Sequence, residues 1–123
     1  MAFQQDWVMR QVEMLVQFVA RTVFHKDSIS YDIIDETNLS QADLLYKKLR
    51  ELIAERKICE AENLLFENLD EDDNKNLALA LDFYQIINRM ADDELEAHNF
   101  SRQEINDGVH EIMHKFNIST LNL

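Results

Sequence analysis

Between Asp6 and Phe24 the polar positions narrow to one stripe. Arg10, Glu13, Gln17 and Arg21 recur at helical spacing, and nearly everything between them is apolar: Trp7, Val8, Met9, Val12, Met14, Leu15, Val16, Phe18, Val19, Val23 and Phe24. A helix apolar around most of its girth has to be covered on more than one side. The pattern therefore predicts a first helix that is the central helix of the domain and also half of a dimer interface. Trp7, Met9, Val12, Val16 and Val23 are its candidate self-association residues.

Residues 25–39 carry no clean period and predict a connector with one short turn around Tyr31 to Ile34. Ser40 then opens a second helix, with Asp43 at the capping-box position and Ala42, Leu45, Leu49, Leu52 and Ile53 along one face. A tight turn at Arg56–Lys57 leads to a third helix with Ile58, Ala61, Leu65 and Leu69 facing inward. The acidic run DEDDN (70–74) connects to a fourth helix, about Lys75 to Ala91. That helix has two apolar sides, Leu77/Leu81/Tyr84/Ile87 and Leu79/Phe83/Ile86/Met90, and a polar stripe of Asp82, Gln85 and Arg89. After DDELEAHNF a fifth helix opens at Ser101, with Glu104 as its capping partner and Ile105, Val109, Ile112 and Phe116 buried.

Composition agrees with the periodicity. One glycine and no proline in 123 residues favour helices, whose interiors exclude both, over sheets that need them in tight turns. No linker or boundary interrupts the chain, so residues 1–123 read as a single all-α domain of about five helices.

The formal net charge is −12, from 24 acidic and 12 basic residues. Such a surface repels nucleic acid and anionic lipid, since both are bound by neutralising phosphate with Lys and Arg. With Cys59 as the lone cysteine there is no internal disulfide and no cysteine-rich zinc site. The opening MAFQQDWVMRQ lacks the features of a secretion signal, and no apolar run approaches the roughly 20 residues of a membrane span. These observations predict a cytoplasmic protein.

The chemistry-bearing motifs are few. HEIMH (110–114) has the spacing with which zinc peptidases set two histidines on one side of a helix and a water-activating glutamate between them. A third ligand would have to come from upstream, from His98, His25 or a carboxylate, because the nine residues after His114 contain none. His110 and His114 also share a stripe with Gln103 and Asp107, beside the buried face. The motif reads as a chance match on a solvated face, with only adventitious metal binding by His110 and His114. Asp70, Asp72 and Asn74 imitate the start of a calcium loop, but Lys75 and Leu81 stand where the glycine and the bidentate glutamate belong. Cys59 reads as a small, partly buried thiol. Gly108, mid-helix, implies close approach of a neighbouring helix. Trp7 with Met9 and Met14 reads as core or interface rather than a ligand pocket. No catalytic residue, resident metal or cofactor is predicted.

The segment LLYKKLRELIAERKICEAENLLFENLD (44–70) resembles one tetratricopeptide-type helical hairpin. Leu45, Leu52, Ile58, Ala61 and Leu65 fall at that repeat's packing positions, with Ala61 at its small-residue contact; Leu49 and the missing proline depart from it. Over nearly the full length, QDWVMRQVE, LLYKKLRELI, EAENLLFENLD and HNFSRQEI resemble a family of small Gram-positive (Firmicute) proteins, a domain of unknown function. That resemblance implies a bacterial, cytoplasmic, all-helical, tetratricopeptide-like protein. The repeat resemblance implies a groove lined by the first helix of the hairpin, with Asp43, Tyr46, Arg50 and Ile53 facing a protein or peptide partner.

The sequence thus predicts a tetratricopeptide-like hairpin array packed on a hydrophobic N-terminal helix, acting as a non-enzymatic, homodimeric interaction module. The alternatives are a metal-dependent hydrolase on HEIMH, with Glu111 as base, and a small-ligand sensor with a pocket between the first and fourth helices.

Overall fold

The computed structural model describes residues 2–119, and side chains from Asp6 onward. Among these residues there are six helices and no strand: α1 Ala2–Thr22, α2 Gln41–Ala54, α3 Ile58–Asn68, α4 Asn74–Asn88, α5 Asp92–Ala97 and α6 Arg102–Lys115. The fold is all-α, as the periodicity predicts. The additional helix is α5, where six residues of DDELEAHNF make a turn and a half; their carboxylates favour the positive end of a helix, and Leu95 anchors it in the core.

Both serine capping boxes form. Ser40 Oγ accepts from the Asp43 amide, and Ser101 Oγ from that of Glu104, while each carboxylate accepts from its serine's own N–H. Such a cap contributes about 1 kcal/mol. The helix C-termini lack the usual glycine, and Arg56, Asn99 and Asn117 take the left-handed conformation instead, at φ near 60°. The amide after each returns to a carbonyl five residues back: Lys57 to Leu52, Phe100 to Leu95, Ile118 to Met113, at 2.8 to 3.0 Å. These bonds satisfy the orphan carbonyls of the last turns.

α2 and α3 pack as an antiparallel hairpin, α4 and α6 as a second, and α2 lies against α4. α1 returns to the far side and packs on α4 and α6. Val12, Leu15, Val16, Val19 and Ala20 are its buried face, in one core with Leu49, Leu65, Leu81, Phe83, Ile105 and Ile112. Cover on this side alone corrects the expectation that α1 is enclosed on several sides: Trp7 and Met14 stay 57% and 58% exposed.

Gly108 explains the close approach of α4 to α6. A Cβ there would stand 2.2 Å from the Tyr84 hydroxyl oxygen, so only glycine admits the ring. That hydroxyl, fully buried, donates to Glu62 on α3 at 2.7 Å, joining three helices at one point.

The connector differs from expectation. Residues 29–33 are extended, with Ile29 and Tyr31 buried, Ile33 half-buried, and Ser30 and Asp32 outward. That is a period of two. The turn falls later, where Asp35 Oδ1 accepts from both the amide and the hydroxyl of Thr37.

Candidate functional site

α2 presents Asp43, Tyr46 and Arg50 on one stripe, and α4 presents Lys75, Ala78, Asp82, Gln85 and Arg89 on the neighbouring one. These stripes are the floor on which the groove was expected, and the connector lies across it. The Tyr31 ring packs on Tyr46 with centroids 4.7 Å apart. The Tyr31 hydroxyl donates to Asp43 Oδ1 at 2.5 Å, and Gln85 Nε2 donates to the Ile29 carbonyl at 2.9 Å. Residues 29–33 are therefore a strap seated where a partner was predicted. Ile53 reaches only the edge of a cleft beyond Arg50. At 5% exposed it belongs to the core, which corrects its expected place among the contact residues.

The electrostatics of the floor follow from the strap. Burial, and then the bond to Asp43, push the Tyr31 phenol up to about 12. The Tyr31 hydroxyl and the Ser40 amide hold the Asp43 carboxyl below its usual range. Burial raises Asp82, against the opposing pulls of the Tyr46 hydroxyl, Arg50, the Tyr31 backbone and Arg89. Oδ2 of Asp82 is buried with no hydrogen-bond partner among the described residues. Arg50 donates to the Tyr46 hydroxyl at 3.2 Å, with its guanidinium 5.9 Å from that ring's centroid.

Two clefts adjoin the floor, one of them beside the strap. That one, of about 610 Å³, runs from Phe24 and Tyr31 to Asp43 and Lys75, at the starts of α2 and α4. The other, about 380 Å³, continues the floor past Arg50 and is lined by Ile53, Arg56, Ile86, Arg89 and Met90. Arg56 is paired with Glu94 at 2.8 Å, whereas Arg50 and Arg89 have no ion pair among the described residues. Both pull on the Asp82 carboxyl, and with Arg56 they put three arginines on one cleft of a chain of net charge −12.

The predicted self-association residues separate. Trp7 is exposed. Met9 is half-buried, and its carbonyl accepts from Asn88 at 3.2 Å. Val12 and Val16 are 0% and 2% exposed and belong to the chain's own core, so the folded monomer cannot offer them to a second copy. Val23 is half-buried against the same core. Val16→Glu would unfold the monomer rather than test an interface. Met14, which the sequence reads as core or interface, is exposed two turns beyond Trp7.

His110, Glu111 and His114 are all exposed. No group of three or more His, Cys, Asp or Glu side chains is placed to hold a metal among the described residues. In the acidic connector, Asp70 Oδ1 accepts from the Asp72 amide and Asp73 caps α4 by accepting from Lys75 N. Cys59 is exposed rather than partly buried; residual burial and the charges of Glu104 and Glu62 push its thiol up, away from the reactive thiolate.

One buried residue gave no signal in sequence. Arg102, 5% exposed, donates to the carbonyls of Asn88 and Met90 and to Asp92 Oδ1 at 3.0 Å. It ties the end of α4 to α5 and α6 and shapes the wall of the arginine cleft. Nothing in a helix's first position distinguishes such an arginine from a solvated one.

No helix among the described residues is long and apolar enough to cross a membrane. No curated protein and no solved structure matches the chain. The sequence profile of DUF6483, a family of unknown function, matches residues 2–117, and the chain belongs to that family.

Proposed function

We propose that this chain is a non-enzymatic protein–protein interaction module of tetratricopeptide-like type that pairs with a second copy through the outward face of α1. The observation that carries the reading is the exposure of Trp7 and Met14, seven residues apart on a helix whose opposite face is in the core. Covering the exposed part of each would contribute about 1–2 kcal/mol. Charge supports a second copy as the occupant. The chain carries −12, yet α1 holds Asp6 and Glu13 against Arg10 and Arg21 and is itself neutral. A two-fold interface has to complement itself, and antiparallel pairing about Met14 sets Trp7 of each copy beside Arg21 of the other.

The tetratricopeptide-like part rests on the two hairpins α2–α3 and α4–α6 and on α1 packing against the second of them. A bacterial, cytoplasmic setting belongs to the same reading.

Light scattering at micromolar concentration tests it. The expected result is a dimer for the wild type and a monomer, with an unchanged helical spectrum, for Trp7→Glu/Met14→Glu. A monomeric wild type overturns the self-association.

A further inference from the structure

The strap is held by side chains alone. Among the described residues, the backbone of 29–33 makes no bond to another main-chain group. Gln85 holds the Ile29 carbonyl, Asp43 holds the Tyr31 hydroxyl, and Tyr46 holds the Tyr31 ring. An extended chain whose alternate residues dip into pockets, while polar side chains engage its carbonyls, is the way a helical floor receives a peptide.

The strap does not complete its seat. The 610 Å³ cleft opens beside it, and Ile34 stands 91% exposed where it leaves the floor. The floor also runs on beyond the strap, past Ile29, into the cleft bordered by Arg50 and Arg89. A permanent brace has no use for this extra length.

We propose that the α2–α4 floor is a recognition groove for an extended acidic peptide, and that residues 29–33 occupy it as an internal stand-in which the partner displaces. The partner segment carries an aliphatic residue and a tyrosine two positions apart, in the seats of Ile29 and Tyr31. One or more carboxylates precede them and reach Arg50 and Arg89. The strap sets the threshold, because a tethered segment competes at a high effective concentration. Only a ligand that adds the arginine contacts outcompetes it.

This inference rests on the interaction-module reading but not on pairing through α1. The test is therefore run on the Trp7→Glu/Met14→Glu protein, where loss of self-association leaves the groove intact.

Hydrogen exchange is measured first. Amides of residues 30–33, which make no main-chain hydrogen bond among the described residues, are expected to exchange about a hundredfold faster than those of Leu81 and Phe83, with the helices staying protected. Exchange of the strap together with α4 overturns the proposal. Fluorescence anisotropy then follows the labelled peptide Asp-Asp-Ile-Ser-Tyr-Asp-Ile-Ile, titrated to millimolar concentration. Adding Ile29→Ser/Tyr31→Ser to loosen the strap is expected to tighten binding about tenfold, and adding Arg50→Glu/Arg89→Glu to reverse that gain. A strap-loosened protein that unfolds, or that stays folded and ignores the peptide, overturns the proposal, as does binding indifferent to the two arginines.

Discussion

The ring of Tyr84 lies directly against the α-carbon of Gly108, with the ring carbon Cζ 2.3 Å from where a Cβ would be. Both positions are on helices, α4 and α6, whose cores leave little room to retreat. Glycine in a helix interior costs about 1 kcal/mol relative to alanine, so Gly108→Ala would stabilise an isolated helix. In the folded chain the added methyl forces α4 and α6 apart, an overpacking cost of about 1–3 kcal/mol. The expected net effect is a loss of stability, read by urea denaturation. Tyr84→Leu in the same chain should recover much of it, because the two sites are in contact and couple. Additive losses would show that the ring is not the obstacle.

Arg102 is expected to be the most costly single charge to remove. Its guanidinium satisfies the carbonyls that end α4, and its partner Asp92 is about a third exposed. Arg102→Met keeps the aliphatic stem and leaves those carbonyls buried without donors. Breaking a buried pair costs roughly 3–5 kcal/mol, and the partial exposure of Asp92 places this one near the lower end. Chemical denaturation measures it. A change under about 1 kcal/mol, typical of a surface pair, would contradict the anchoring role.

His25 lies three residues past the end of α1, exposed, at φ 56°. A side chain costs about 1–2 kcal/mol in that region, and a β-branched one is the least tolerated. His25→Gly should therefore be more stable than His25→Val by about that amount. Equal midpoints in thermal melts would mean that the chain after α1 relaxes to another conformation.

The longer helices were legible because each depends on local signals, whereas the six residues of α5 are too few to show a period. Ser40 with Asp43, Ser101 with Glu104, and the apolar stripes of α2, α3, α4 and α6 all lie within a few turns of chain. The strap was not, because its inward set is only Ile29, Tyr31 and Ile33, and a period of two over five residues resembles irregular loop. The division of α1 into a core face and an outward face also escaped the sequence. Trp7, Val12, Met14 and Val16 are all apolar, and only the places of α4 and α6 decide which of them meet water. Asp43, Tyr46 and Arg50 share one stripe of α2. What covers that stripe comes from residues 29–33, which no pattern within α2 can disclose.

Stability is expected to rise as the pH falls through the raised range of the buried carboxylates towards their ordinary values. Burial raises the Glu62 carboxyl above its ordinary 4.5 and Asp82 above 3.8, the Tyr84 hydroxyl and the Tyr46 hydroxyl opposing each in turn. Between the ordinary value and the raised one, the folded chain binds more protons than the unfolded chain. Stability then falls as pH rises through that window, and acidification recovers it. Relief of self-repulsion in a chain of net charge −12 acts in the same direction. Asp43 and Asp35 act oppositely, since hydrogen bonds from Tyr31 and Thr37 lower them, and their contribution is lost only below their ordinary 3.8. The maximum should therefore lie between these two windows. Glu62→Gln separates burial from general charge: it retains an acceptor for Tyr84 and removes the ionisation. The variant should gain stability at pH 7 and show a shallower rise towards pH 5, followed by urea denaturation across that range. A wild type that weakens steadily from pH 7 to 5, or a Glu62→Gln variant with the same slope, would show that the buried carboxylates do not govern the profile.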